Sequence, residues 1–156
     1  MSGFPWRSLR SAVGQHLAFL RESGYVQVRA ERGGVFDHAG CIVLRRDEVR
    51  IMVARHMGQD FIDLAFVEAG SPLDWFDLAY VVSALGSNTH SADAPIVHHT
   101  LEAKAPILKK FLPLIEAAAH ADRNDLVRSV AAARERAVSQ NDPAMRDASL
   151  RRSARS

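Results

Sequence analysis

Near the start of the chain, apolar residues return every three or four positions, which is the period of a helix with one buried face. This stripe consists of Trp6, Leu9, Val13, Leu17 and Leu20. Gly24 follows, and glycine suits the left-handed conformation that often ends a helix. The pattern predicts a first helix over residues 6–22.

After Gly24 the apolar positions alternate, as they do in half-buried strands. In residues 25–31, Val26 and Val28 fall on the same predicted face. Further strand-like runs occupy residues 41–45, 48–56 and 61–68. The core positions predicted for the last two runs are Val49, Ile51, Val53, Ile62, Leu64 and Phe66. Short connections between four consecutive strands favour an antiparallel meander over parallel βαβ units.

Residues 71–86 have the features of a second helix. Ser71 is a candidate N-cap, Pro72 fits the first helical position, and Asp74 suits the positive helix start. The segment is apolar over most of the helical circumference, which is typical of a buried helix or of half an interface. We expect Gly86 to end it.

Residues 100–121 repeat apolar residues at helical spacing, and Pro106 and Pro113 interrupt the pattern. The recurring residues are Leu101, Ala105, Leu108, Leu112, Ile115 and Ala119. Pro113 lacks an N–H and crowds the carbonyl of Lys109, which predicts a kink or a break there. A last helix is predicted to be capped at Asp122. Its expected buried residues are Leu126, Val130 and Ala133.

These elements predict an α+β fold with an N-terminal helix, a four-stranded antiparallel meander sheet and three C-terminal helices that cover one face. Residues 1–141 are expected to form a single domain, since 156 residues suffice for one core. Residues 142–156 have no apolar period and are rich in arginine, which predicts a flexible tail.

Composition narrows the functional classes. Cys41 is the single cysteine, which excludes an intramolecular disulfide and a multi-cysteine zinc site. Residues 122–156 hold eight arginines against five acids, whereas residues 1–121 hold twelve basic residues against thirteen acids. Nucleic-acid binding is therefore expected only weakly, through the tail. The first 24 residues have no uninterrupted apolar stretch, so we expect a cytoplasmic protein without a membrane span. No sequence motif calls for a cofactor.

The densest group of potentially catalytic side chains is His90, Asp93, His98 and His99. They could form a metal site, or an acid–base pair oriented by Asp93. Adjacent histidines diverge on a helix or a strand, however, and no second ligand set is evident. The simpler interpretation is a polar connection between two helices.

Charged residues on the predicted sheet suggest a binding surface. Arg45, Arg46, Arg50 and Arg55 cluster on the central hairpin, and Asp63 alternates with apolar neighbours. A solvated strand face is the simpler account of this charge. The candidate partner-binding residues are Arg50, Arg55, Asp63, Trp75 and Asp77. Trp75 is also a candidate core residue, and Asp77 could mark the solvent-facing strip of its helix.

Residues 36–86 have a recognisable order of motifs. Arg55 and Gly58 close one strand, the next begins Phe61-Ile62-Asp63-Leu64, and a helix carries Trp75-Phe76 and Leu78. This third of the chain resembles a group of small bacterial α+β proteins, some of which are immunity or antitoxin-like partners in toxin systems. The resemblance implies a binding role, and it carries no catalytic residue to this chain.

Two functional hypotheses follow. The first is a non-enzymatic module that binds another protein through an exposed sheet face or the helical layer. The resemblance implies an immunity-like form of this role. The second is a metal-dependent or acid–base enzyme that uses His90, Asp93, His98 and His99. Self-association is compatible with both, because the predicted helices offer more apolar surface than one side of a small sheet covers.

Overall fold

The computed structural model describes residues 4–33, 38–66, 74–86 and 99–141. Four helices are assigned in them: α1 (Phe4–His16), α2 (Ala18–Glu22), α3 (Leu78–Leu85) and α4 (Leu101–Asn141). The predicted first helix is therefore divided at Leu17, which lies between α1 and α2 and is itself buried. Its apolar stripe is confirmed, because Leu9, Val13 and Leu20 are buried and Trp6 is partly buried.

The described strands form one antiparallel sheet in sequence order. They are β1 (Val26–Arg32), β2 (His38–Arg46), β3 (Val49–His56), β4 (Gln59–Phe66) and β5 (Phe76–Asp77). The α+β class and the antiparallel meander are confirmed, with five strands instead of the predicted four. In the described ranges, two C-terminal helices, α3 and α4, replace the predicted three, because the last two predicted helices join into α4. The additional strand β5 pairs Phe76 with Leu64 and Asp77 with Asp63. The predicted tail at 142–156 lies outside the described residues.

One side of the sheet packs against the helices and forms the core. Strand alternation places nine buried apolar residues on this inner face: Ile42, Leu44, Val49, Ile51, Val53, Ile62, Leu64, Phe66 and Phe76. The inward positions predicted for β3 and β4 are thus confirmed. Helix α1 contacts β2 and β3, whereas α3 and α4 contact β4 and β5. Burial of these side chains is the main source of stability.

Strand β1 differs from its prediction as a half-buried strand, because all seven of its residues are exposed. Val26 is 61% exposed and Val28 is 50% exposed. The register shifts between Gln27 and Arg29, so Val28 is the extra residue of a β-bulge. The alternating pattern identifies the strand correctly. It fails to predict the burial because β1 lies at the sheet edge, while α1 packs mainly on β2 and β3.

Helix α3 begins six residues later than its sequence predicts. Asp77 is the N-cap, with its Oδ1 accepting a hydrogen bond of 2.8 Å from the Ala79 N–H. Phe76 and Asp77 extend the sheet before the helix starts. Ser71 and Pro72, the predicted start, lie outside the described residues. An aspartate before an apolar run is as good an N-cap as a serine, which explains the error.

Helix α4 retains its helical path through both prolines, so the predicted break at Pro113 is wrong. Pro106 and Pro113 are both exposed, and on that side water can hydrate the carbonyls that lose their partners. The helix is interrupted at Asp122, whose φ of −156° and ψ of 92° are non-helical. The predicted cap there is confirmed, since Asp122 Oδ1 accepts a hydrogen bond from the Asp125 N–H at 3.0 Å.

The predicted buried residues of α4 are confirmed, and all of them contribute to the core: Leu101, Ala105, Leu108, Leu112, Ile115, Ala119, Leu126, Val130 and Ala133. None of the helices in the described ranges combines the length and hydropathy needed to cross a bilayer.

Candidate partner-binding face

The side of the sheet opposite the core is the outer face. Strand alternation and register place ten residues of β2–β5 on it: Cys41, Val43, Arg45, Arg50, Met52, Ala54, Phe61, Asp63, Ala65 and Asp77. Cys41, Val43 and Ala65 of this face are buried, and burial raises the pKa of the Cys41 thiol. Three of the candidate partner-binding residues, Arg50, Asp63 and Asp77, belong to this face.

Two pairs of like charges lie in register on the outer face. Arg45 of β2 is directly opposite Arg50 of β3, and Asp63 of β4 is directly opposite Asp77 of β5. Like charges in directly opposed positions destabilise an antiparallel sheet. The inner face has no such conflict among its apolar pairs. The outer face therefore has a positive end and a negative end, each unfavourable for the isolated chain.

Asp63 is the most perturbed carboxylate of this face. Burial and, to a smaller extent, the negative charge of Asp77 raise its pKa to about 6, while Lys104 acts in the opposite direction. In the described part of the chain, no hydrogen bond or salt bridge reaches the Asp63 carboxylate. The ionised form at neutral pH is therefore poorly compensated.

Arg50 is also incompletely satisfied. Its Nε atom is buried and has no hydrogen-bond partner among the described residues. A buried donor without a partner costs free energy, in the range of about 1–3 kcal/mol. No ion pair joins Arg50 to Asp63, although they occupy neighbouring rows of the sheet. Both ends of the outer face thus carry polar groups that the described residues leave under-compensated.

Asp77 and Trp75 lie at the start of the segment that leads into α3. Asp77 is half-buried and has a structural role as the α3 N-cap, in addition to facing Asp63. Trp75 lies immediately before β5 and is partly buried. Its exposure is therefore intermediate between that of a core residue and that of a surface residue. The neighbouring Asp74 is exposed and forms an ion pair with Arg134, with 3.4 Å between Asp74 Oδ1 and Arg134 Nη1.

Arg55 belongs to the inner face, unlike the other charged candidates, and it is ion-paired. Its Nε and Nη2 atoms donate to the two carboxylate oxygens of Asp60 at 2.6 and 3.1 Å, and its Nη1 donates to Ser8 Oγ at 2.8 Å. Arg46 also points toward the helical layer, where it donates to the Ser23 carbonyl and to Glu116. The arginine cluster expected from the hairpin is therefore divided between the two sides of the sheet.

The Arg55–Asp60 pair belongs to a buried network at the N-terminal end of α4. Asp60 is only 5% exposed, and its Oδ2 atom also accepts a hydrogen bond from the Leu101 N–H at 2.9 Å. Lys104 is 7% exposed and donates from Nζ to the Asp60 carbonyl at 2.7 Å, with its ammonium 5.3 Å from the centre of the Phe61 ring. This network joins α1, β3, β4 and α4.

Sequence reasoning missed the network because Asp60 and Lys104 resemble solvent-exposed residues. The sequence did contain a signal. Asp60 lies two residues before Ile62, and the residues at this spacing in β4 all face inward. That parity places Asp60 on the inner face, where a charge needs a partner.

The histidine group is only partly described. His90, Asp93 and His98 lie outside the described residues. His99 is exposed, and its backbone carbonyl accepts a hydrogen bond from the Asp60 N–H at 2.9 Å. Within the described ranges, no three His, Cys, Asp or Glu side chains are grouped as a metal site would require. The enzymatic hypothesis stays a prediction on these residues.

We expect Asp63→Asn to increase the free energy of unfolding at pH 7 by about 1–2 kcal/mol, allowing for the water that still reaches the side chain. The folded-state pKa of about 6 exceeds the ordinary value of 3.8, so the folded protein holds the proton more tightly. Its stability therefore falls as pH rises from about 4 to 6, and the cost is complete above that window.

Urea denaturation at pH 4 and pH 7 checks this prediction. The difference between Asp63→Asn and the unmodified protein is expected to be large at pH 7 and small at pH 4. Glu135→Gln is the matched control, because Glu135 is exposed on α4. Equal stability of the Asp63→Asn and unmodified proteins at pH 7 would show that the Asp63 charge is well compensated.

The resemblance of residues 36–86 to immunity-like proteins stays a prediction. No family model, no curated protein and no solved structure matches this chain.

Proposed function

We propose that this protein is a non-enzymatic binding module that receives another protein on its outer face. The observation that supports the proposal is the arrangement of the Arg45–Arg50 and Asp63–Asp77 pairs, two opposed pairs of like charge on one surface. Each pair is unfavourable in the free chain. A partner with the opposite charges at these two places turns both conflicts into attractions, which favours the correct partner and its correct orientation.

The chemistry of the face defines the partner. A lysine or arginine of the partner lies against Asp63 and Asp77, and an acidic side chain lies against Arg45 and Arg50. Met52, in register between Val43 and Asp63, contributes a flexible apolar contact between the two charged ends. Binding of a cation next to Asp63 lowers the pKa of its carboxyl, so the complex is tighter above about pH 6 than below it.

The costs at this face favour a functional explanation over a structural one. Residues that reduce stability are retained at binding sites because activity requires them. Asp63 is such a residue, since its carboxylate accepts no hydrogen bond from the described residues and faces a second carboxylate. An immunity-like role, in which the partner is a toxin, is the form of this proposal that the resemblance of residues 36–86 implies.

Site-specific photocrosslinking tests the location of the binding surface. We expect a photoreactive amino acid at position 52, on the outer face, to give one discrete adduct with a protein of the source organism. The matched position is Leu114, an apolar residue that is 54% exposed on α4. An adduct from position 114 alone would assign the partner to the helical layer and contradict the proposal, as would the absence of any adduct from position 52.

A further inference from the structure

Strand β1 is a long strand at the edge of the sheet. In the described part of the chain it pairs only with β2, while the opposite edge ends in the two-residue β5. An exposed edge of seven residues is a ready template for pairing with another strand. Val26 and Val28 of this strand are among the most exposed large apolar side chains of the described residues.

The space beside β1 is also accessible on both sides of the sheet. Gln27 and Ala30 lie on the inner face of the sheet, since they pair with Leu44 and Ile42. Gln27 and Ala30 are nevertheless exposed. Helix α1 packs mainly on β2 and β3, and all seven residues of β1 stay exposed.

The charges of β1 select a second copy of the same chain as the added strand. Arg29 and Glu31 flank Ala30, and their side chains already form an exposed ion pair of 2.5 Å within the strand. In a symmetric antiparallel pair, the two-fold axis passes through a residue, because opposed residues share the same hydrogen-bonding direction. An axis at Ala30 places Arg29 of each copy opposite Glu31 of the other.

The two neighbouring symmetric registers toward the start of β1 are less favourable. An axis at Arg29 places Arg29 of one copy opposite Arg29 of the other, and directly opposed like charges are destabilising. An axis at Val28 coincides with the bulge, where the extra residue disturbs regular pairing. The Ala30 register lies on the regular side of the bulge and forms two equivalent charge pairs.

We propose that the protein forms a two-fold symmetric dimer in which the β1 strands pair antiparallel about Ala30, joining two five-stranded sheets into one. The proposal does not rest on the function assigned to the outer face. Charged residues on an edge strand ordinarily oppose the addition of another strand. Here Arg29 and Glu31 complement the same residues of a second copy, so they allow this pairing and disfavour others.

Charge reversal tests the register. Sedimentation equilibrium of the full chain over a range of concentrations is expected to show a monomer–dimer equilibrium for the unmodified protein. Arg29→Glu and Glu31→Arg, made separately, each turn both charge pairs into repulsions, and each is expected to raise the dimer Kd about tenfold or more. Glu135→Arg on α4 is the control and leaves the Kd unchanged.

Mixing the two reversed variants provides the decisive arm. Each variant repels its own copies, whereas an Arg29→Glu chain and a Glu31→Arg chain complement one another across the axis, so the mixture is expected to dimerise. Circular dichroism verifies that both variants are folded. A monomer at all concentrations of the unmodified protein overturns the proposal. So does a dimer that both reversals leave intact, because that dimer uses another surface.

Discussion

Replacing Asp60 with alanine is expected to reduce the free energy of unfolding by about 3–5 kcal/mol, the range found when one partner of a buried ion pair is removed. The Asp60 carboxylate accepts two hydrogen bonds from Arg55 and one from the Leu101 N–H. Without it, the Arg55 guanidinium keeps, among the described residues, only its bond to Ser8 in a place that is largely closed to water. The first N–H of α4 loses its acceptor as well.

Urea denaturation followed by circular dichroism measures this loss. The matched control is Asp125→Ala, whose carboxylate is 3.6 Å from Arg128 in a pair that is mostly exposed on both sides. Exposed pairs contribute about 0–1 kcal/mol, so the control should lose far less. Similar losses in the two variants would show that removing the Asp60 carboxylate leaves no costly uncompensated charge at Arg55.

A double variant separates the charge effect from packing. When both members of a buried pair are replaced by apolar residues, stability often recovers, because no uncompensated charge remains. Arg55→Leu/Asp60→Leu is therefore expected to be more stable than Asp60→Ala. If the double variant is the less stable of the two, the network stabilises through its geometry more than through charge compensation.

Gly40→Ala is the second change with a large expected effect, a loss of about 3 kcal/mol or more. Gly40 has a φ of 132°, which L side chains rarely adopt, and an added Cβ would overlap the Glu31 carbonyl oxygen. It would also lie 2.7 Å from the ring of Trp6, so α1 and β1 would both have to move. The carbonyl belongs to the backbone of β1, where a shift disturbs the ladder.

Gly14→Ala is the control for Gly40→Ala, because an added Cβ at Gly14 meets nothing within 4 Å inside α1. There, alanine should stabilise the protein by about 0.5–1 kcal/mol through the better helix propensity. Thermal unfolding distinguishes the two, with the midpoint falling for Gly40→Ala and rising for Gly14→Ala. A Gly40→Ala protein as stable as the unmodified one would contradict the close packing of Trp6 on β2.

The parts of the fold that sequence reasoning predicted correctly are those in which burial produces a clear period. The alternation in β3 and β4 and the stripes of α1 and α4 all correspond to core positions. Errors arose where the deciding interaction is tertiary. Pro113 is tolerated because its side of α4 is exposed, and β1 is exposed because it lies at the sheet edge.

The candidate site was predictable only in part. Asp63 and Asp77 were identified separately, as a strand residue and a helix residue, and neither position indicates that β5 pairs them. A two-residue strand has no recognisable period. The inner-face position of Arg55 follows from the parity of β3, but its pairing with Asp60 depends on the β3–β4 register.

If the outer face keeps its charge conflicts for a partner, removing one of them should make the protein more stable and its complex weaker. Calorimetric titration at pH 7 measures the Kd of the partner identified by crosslinking for three proteins. They are the unmodified protein, Asp63→Asn and Glu135→Gln. Asp63→Asn is expected to be the more stable protein and yet to bind about tenfold more weakly, whereas Glu135→Gln binds normally. Equal affinity of the Asp63→Asn and unmodified proteins would contradict the account.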